Sequence, residues 1–209
     1  MGQQNAKHRD KVVTLNIEAA TNYCVVFKKE VLLAFAKQLK EFSDEEPKGV
    51  VGREHVMATA EIVGMSDDTC VKMLDHLYTL FDHEGDDMVR TKSFASALGM
   101  LIWKFPMKDR ISFATVMICT IGDDHGSHRI SRNDLTILLK ACTDMLRDFG
   151  DSEIHPSKIG TLVESVFMES DRNAKDQVDC DECMTVMLAH PIVTEFYESA
   201  LDDAEYMMK

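Results

Sequence analysis

Apolar residues recur at three- and four-residue intervals through most of this chain, the spacing of one helical face. From Lys28 to Phe42 the stripe is Val31, Leu32, Phe35 and Leu39. Glu54 to Val63 predicts a second helix, ended by Gly64, a residue that tolerates the left-handed turn after a helix. Ser66 reads as the cap of a third, with Asp67 and Asp68 at its positive end and Val71, Leu74, Leu77 and Tyr78 on its inner face as far as Phe81. Lys92 to Trp103 predicts a fourth, through Phe94, Leu98, Leu101 and Ile102. Pro106 disfavours helix at the residue before it and divides the chain into halves. Further helices follow from near Lys108, from Arg132 to Arg147, from Ile159 to Met168 and from Glu182 to Ala189. Two outer segments share the period. Asp10 to Tyr23 predicts an extra N-terminal helix, and Ile192 to Met208 an amphipathic C-terminal one carrying Val193, Phe196, Tyr197 and Leu201 along one face. The expectation is an all-α protein.

Polar stretches of one length separate the helices within each pair. The clearest is D-R-N-A-K-D-Q-V-D-C-D-E, from Asp171 to Glu182. As a twelve-position frame it sets Asp171 first, Asn173 third, Gln177 seventh, Asp179 ninth and Glu182 twelfth. That is the ligand order of an EF-hand calcium loop, in which alternate oxygens surround one hard cation and a bidentate Glu closes the shell. Val178 is eighth, where a short β-contact to a partner loop needs a β-branched residue. Lys175 stands at the fifth position and Asp176 where Gly makes the sharp turn. A second frame begins at Asp82, with Glu84, Asp86 and Met88 at positions three, five and seven and Val89 at eight; Ser93 replaces the closing Glu. A third begins at Asp123, with Ile130 at eight and a short Asp134 at twelve, but His125 and Ser127 at three and five. The first begins at Ser43, with Val50 at eight and Glu54 at twelve, spoiled by Pro47 and Lys48. Starts at 43, 82, 123 and 171 lie 39, 41 and 48 residues apart, the period of one supersecondary unit used repeatedly. The reading is two lobes of paired EF-hands, four units that are mostly degenerate. Residues 1–23 form the N-terminal segment, 24–105 the first lobe, 106–190 the second and 191–209 the last helix.

Calcium is therefore expected to be weak or absent. The candidate ligands are Asp171, Asn173, Gln177, Asp179 and Glu182 in the fourth loop, then Asp82, Glu84, Asp86 and Met88 in a poorer second site. An ammonium about 5 Å from a divalent ion repels it by several kcal/mol even at an effective dielectric of ~20. Lys175 lessens that by swinging its head into water.

At 209 residues, with 36 acidic against 23 basic side chains, the chain carries a net charge of −13. That sign opposes nucleic acid and anionic membrane and favours a basic or amphipathic helix as partner. No run of eighteen apolar residues is present, and no apolar leader opens the sequence, which points to a cytoplasmic protein. Met1-Gly2 begins like an acylation signal, but Ala6 stands where Ser or Thr is wanted. The six cysteines (24, 70, 119, 142, 180 and 183) fall among apolar neighbours and read as reduced, buried thiols. The fourteen methionines suit either core filling or an adaptable groove. No phosphate loop, nucleophile elbow or paired-carboxylate site is present, so the chain does not read as an enzyme.

Four frames with an added helix at each end resemble the neuronal-calcium-sensor and calcineurin-B-like branch of EF-hand proteins. Cys24-x-x-Phe27-x-Lys29-Glu30-Val31, Gly64-Met65-Ser66-Asp67-Asp68, Phe81-Asp82 and the long insert between the third and fourth units are similar to the calaxin-like proteins of ciliary outer dynein arms. The resemblance implies a non-enzymatic, calcium-responsive subunit that docks or regulates outer-arm dynein on the axoneme of a cilium or flagellum. It implies coiled-coil docking-complex proteins as partners, the dynein heavy chain being a further candidate; separately, the apolar face of the C-terminal helix, with Phe196, Tyr197 and Leu201, suits either its own lobe's groove or a partner. A membrane-signalling calcium sensor and a phosphatase-type regulatory chain are the alternatives. The Ser93, His125, Ser127 and Lys175 departures touch calcium sensing and leave docking intact.

Overall fold

The computed structural model describes residues 28–45, 49–102, 105–122, 128–148, 155–170 and 176–195, with side chains described only to residue 145 within the fourth stretch. The N-terminal helix and residues 196–209, with Phe196, Tyr197 and Leu201, lie outside the described residues.

The chain is mostly helical. Helix α1 (Lys29–Ser43) leads through strand β1 (Val50–Gly52) to α2 (Arg53–Ile62). Helix α3 (Asp68–Phe81), strand β2 (Met88–Arg90) and α4 (Thr91–Met100) repeat the arrangement. So do α5 (Met107–Gly122), β3 (Arg129–Ser131) and α6 (Arg132–Asp148), and then α7 (Pro156–Ser170), β4 (Gln177–Asp179) and α8 (Cys180–Ala189). Residues 191–195 are helical again, with Val193 buried. Each strand is three residues long, and the strands pair across neighbouring units. Antiparallel β1–β2 sets Val51 opposite Val89, and antiparallel β3–β4 sets Ile130 opposite Val178.

The caps explain the boundaries. Gly64 takes φ +77° and lets the Met65 amide reach back to the Ala60 carbonyl at 2.7 Å, closing α2. The cap of α3 is Asp67 rather than Ser66: its Oδ1 accepts from the Thr69 and Cys70 amides at 3.1 and 3.0 Å. A carboxylate there satisfies two orphan donors and also meets the helix dipole, which a serine does not.

Two groups of buried side chains fill the interior. The first, around Phe35, Leu74, Tyr78 and Phe94, also takes in Phe113, Met117 and Ile121 of α5 and Ala141 and Met145 of α6. The second, around Ile118, Leu138, Val166 and Phe167, takes in Met100 from the end of α4. Helix α4 is the shared element. Phe94 to Met100 are all buried, and the buried Arg110 of α5 donates from Nε to the Met100 carbonyl at 2.9 Å. Of the methionines singled out in the sequence, Met73, Met117 and Met187 are buried in these cores, and Met57 is packed against the first.

The cysteines require a correction. Cys119 of α5 and Cys180 of α8 are joined as a disulfide, with Cα atoms 7.2 Å apart, where the sequence reading takes every thiol as reduced. Their separation of 61 residues hides the pairing from any local pattern. It ties the third unit to the fourth beside the β3–β4 pair. Cys70, Cys142 and Cys183 are free and buried. Burial alone pushes the Cys142 thiol up to about 12; burial, with Asp179 and Glu182 nearby, does the same to Cys183.

Two predictions come from this packing. A Cβ at Gly99 would stand 2.6 Å from the Ala114 Cα and 2.9 Å from its amide nitrogen, so α4 and α5 touch backbone to backbone. Gly99→Ala gains up to about 1 kcal/mol of helix propensity but forces the helices apart. A net loss of about 2 kcal/mol is expected in urea unfolding, and a neutral or stabilising result contradicts the close packing. Peptide mapping without reductant should recover the Cys119 and Cys180 peptides as one linked species that separates on reduction. Recovery of both as alkylated thiols contradicts the bridge.

Candidate functional site

The candidate site is the pair of strand-linked loops at each end, with the charged residues around them. A second hydrogen bond accompanies each strand pair. The Thr91 amide donates to the Gly49 carbonyl at 3.1 Å, and the Cys180 amide donates to the His128 carbonyl at 3.0 Å. Numbered from the strand partners, Thr91 and Cys180 are tenth in their frames, and His128 is sixth. Gly49 matches His128 only if the first frame starts at Asp44.

The structure thus moves the first frame by one residue. Val51, not Val50, faces Val89, and His55, not Glu54, falls twelfth. The shape the three loops share appears in the backbone: Gly49, Asp87 and His128, each sixth in its frame, have φ of +82°, +59° and +47°. Glycine adopts this region freely, and Asp and His tolerate it better than most residues do. In the second and third loops the left-handed turn therefore forms without a sixth-position glycine. The His55 Nδ1 accepts the Gly52 amide at 3.2 Å, so it serves the helix start rather than an ion.

In the second loop the carboxylates are engaged with backbone. Asp82 Oδ1 accepts from the Gly85 and Asp86 amides at 2.8 and 3.2 Å, and its Oδ2 accepts from Asp87 at 3.2 Å. Asp86 Oδ1 accepts from the Met88 amide at 3.1 Å. A carboxylate has about four acceptor positions, so Asp82 retains roughly one. Glu84 is exposed, and Ser93 in the first turn of α4 offers a hydroxyl where a bidentate carboxylate belongs.

A side-chain cross-link holds this loop. Arg53, at the start of α2, donates from Nε to Asp87 Oδ1 at 2.9 Å, forms an ion pair with Asp75 of α3, and lies with its guanidinium 4.5 Å from the Tyr78 ring centre. The buried Tyr78 hydroxyl lies 2.6 Å from the Asp87 carbonyl and 3.1 Å from that of Val51, sharing its one proton between the two loops. Burial pushes the Tyr78 phenol up to about 12, and Asp87 and Asp82 add to the effect. Planar stacking and forked hydrogen bonding are tasks arginine performs and lysine does not.

In the fourth loop Asp171 and Asn173 lie outside the described residues. Gln177 and Asp179 flank the buried Val178 on β4, and Glu182 is exposed in the first turn of α8. Asp179 caps that helix, its Oδ1 accepting the Asp181 and Glu182 amides at 2.9 and 3.1 Å. Among the described residues no three His, Cys, Asp or Glu side chains are grouped to hold a metal ion. The described second-loop donors fit tight calcium binding poorly, because Asp82 and Asp86 already serve the backbone and no bidentate closing residue exists.

Nothing in the sequence period flags Arg53 or Tyr78 as site residues, since one reads as a helix start and the other as core. The signal available was the aromatic one turn before Asp82. No protein-family model matches the chain, and no curated protein matches it. No described helix is long and apolar enough to cross a membrane.

The raised Tyr78 value sets a pH dependence. The folded state holds this proton more tightly than the unfolded chain, so the stabilisation is complete below about pH 10 and lost as pH rises toward 12. Tyr78→Phe should remove part of that alkaline loss and cost about 1 kcal/mol at neutral pH. Urea unfolding across pH 8 to 11 measures both effects; an unchanged alkaline slope in the variant refutes the assignment.

Proposed function

We propose that this chain is a non-enzymatic EF-hand adaptor whose four units are two EF-hand pairs. The observation that carries the reading is the duplicated loop contact. Val51 faces Val89 and Ile130 faces Val178, and in each pair a sixth-position carbonyl accepts a tenth-position amide. Two loops paired at the eighth residue, each between two helices, is the geometry that sequence frames of this type require.

The second loop is held by amides, Tyr78 and Arg53, so its shape does not call for an ion. Weak or residual calcium binding and a mainly scaffolding role follow. The net charge of −13 favours a basic or amphipathic helical partner. With the resemblance of the Cys24–Val31, Gly64–Asp68 and Phe81–Asp82 segments to calaxin-like proteins, the proposed setting is the axoneme of a cilium or flagellum. There the chain would contact coiled-coil docking proteins, and the dynein heavy chain, to dock or regulate outer-arm dynein.

Pull-down with the full chain from ciliated cells is expected to recover dynein-docking coiled coils. Recovery of a phosphatase catalytic chain or a membrane cyclase instead would replace this reading. Calorimetric titration should give only weak calcium binding, strongest in the fourth loop, and a submicromolar site is incompatible with the proposal.

A further inference from the structure

Lys92 is the second residue of α4, a place where the helix's positive end disfavours a cation. Its ammonium lies 2.7 Å from Asp134 Oδ1, in the first turn of α6. The two side chains are only 32% and 15% exposed. The ammonium also rests against the last residue of α5, since a Cβ on Gly122 would be 3.4 Å from Lys92 Nζ and 3.7 Å from Asp134 Oδ2. The carbonyl end of α5 favours positive charge, which compensates the unfavourable position on α4. Ser131 Oγ accepts the Asp134 amide at 3.1 Å and fixes the turn that carries the carboxylate.

The position of Asp134 gives the contact its meaning. It is twelfth in the third frame, the residue whose carboxylate closes on an ion. Here that carboxylate meets a cation supplied by the neighbouring unit, between the end of the entering helix and the start of the exit helix. We propose that Lys92 is the third unit's built-in cation: it neutralises Asp134, pins α4 to α6 across the two halves, and keeps divalent ions from the Asp134 carboxylate. The proposal rests on the EF-hand reading of the frames but requires no partner protein. A divalent ion and the ammonium compete for one carboxylate, so each weakens the other by the same factor.

The test uses the full chain with Lys92→Arg, Lys92→Met, Asp134→Asn and the Lys92→Met/Asp134→Asn double variant, each checked for helicity. Amide hydrogen exchange is followed at residues 131–138, with and without calcium at about 1 mM, enough for weak loops of this class. Wild type and Lys92→Arg should show no calcium effect there, whereas calcium should slow exchange in Lys92→Met. Without calcium, each neutral single variant should lower Tm by roughly 2–4 °C and the double variant by no more than either. Additive losses in the double variant overturn the latch. Calcium protection already present in wild type, or absent from Lys92→Met, overturns the exclusion. Partner capture is untouched by these measurements, so failure here and failure of the adaptor reading are separate results.

Discussion

Two short backbone ladders, β1–β2 and β3–β4, determine what the rest of the chain does. A loop between two helices has several unsatisfied amides and carbonyls, and burying its apolar residue is unfavourable until those groups are paired. Facing Val51 to Val89 and Ile130 to Val178 pairs them with the matching loop. Each ladder then fixes where four helices begin or end, and the helices close over the valine and isoleucine side chains as core. Tyr78 reinforces the first ladder with a buried hydroxyl shared between two carbonyls, and the Cys119–Cys180 bridge lies beside the second. Polar satisfaction and apolar burial therefore occur at the same residues, which makes the loops part of the framework.

Much of this was legible in the sequence because helices with one buried face write a period into the chain. The stripes at Val31–Leu39, Val71–Tyr78 and Phe94–Leu101 located helices to within a few residues, and the repeated β-branched eighth residue anticipated the ladders. The first frame was misplaced by one because Val50 and Val51 are alike to any pattern, and only the ladder register separates them. The cap at Asp67 was assigned to Ser66 for a similar reason: adjacent residues were both competent, and the carboxylate reaches two amides.

The site was less legible, since its contacts join residues far apart in sequence. Arg53 meets Asp75 and Asp87, Lys92 meets Asp134, and Cys119 meets Cys180. No local spacing predicts such pairs. Ligand counting also gave a wrong impression of the loops. It weighed ligand positions and passed over Asp87 and His128, yet both residues take the left-handed turn that the frame needs.

The burial of α4 limits how the molecule can move. A helix covered on one side can swing outward and trade contacts with another protein, but α4 is covered through most of its length, and its Gly99 lies directly on the α5 backbone. Rotating it would strand Arg110 and expose both interiors at once. Motions that carry a message through this protein must therefore belong to its periphery, while the middle behaves as a fixed hinge-pin around which outer helices are presented.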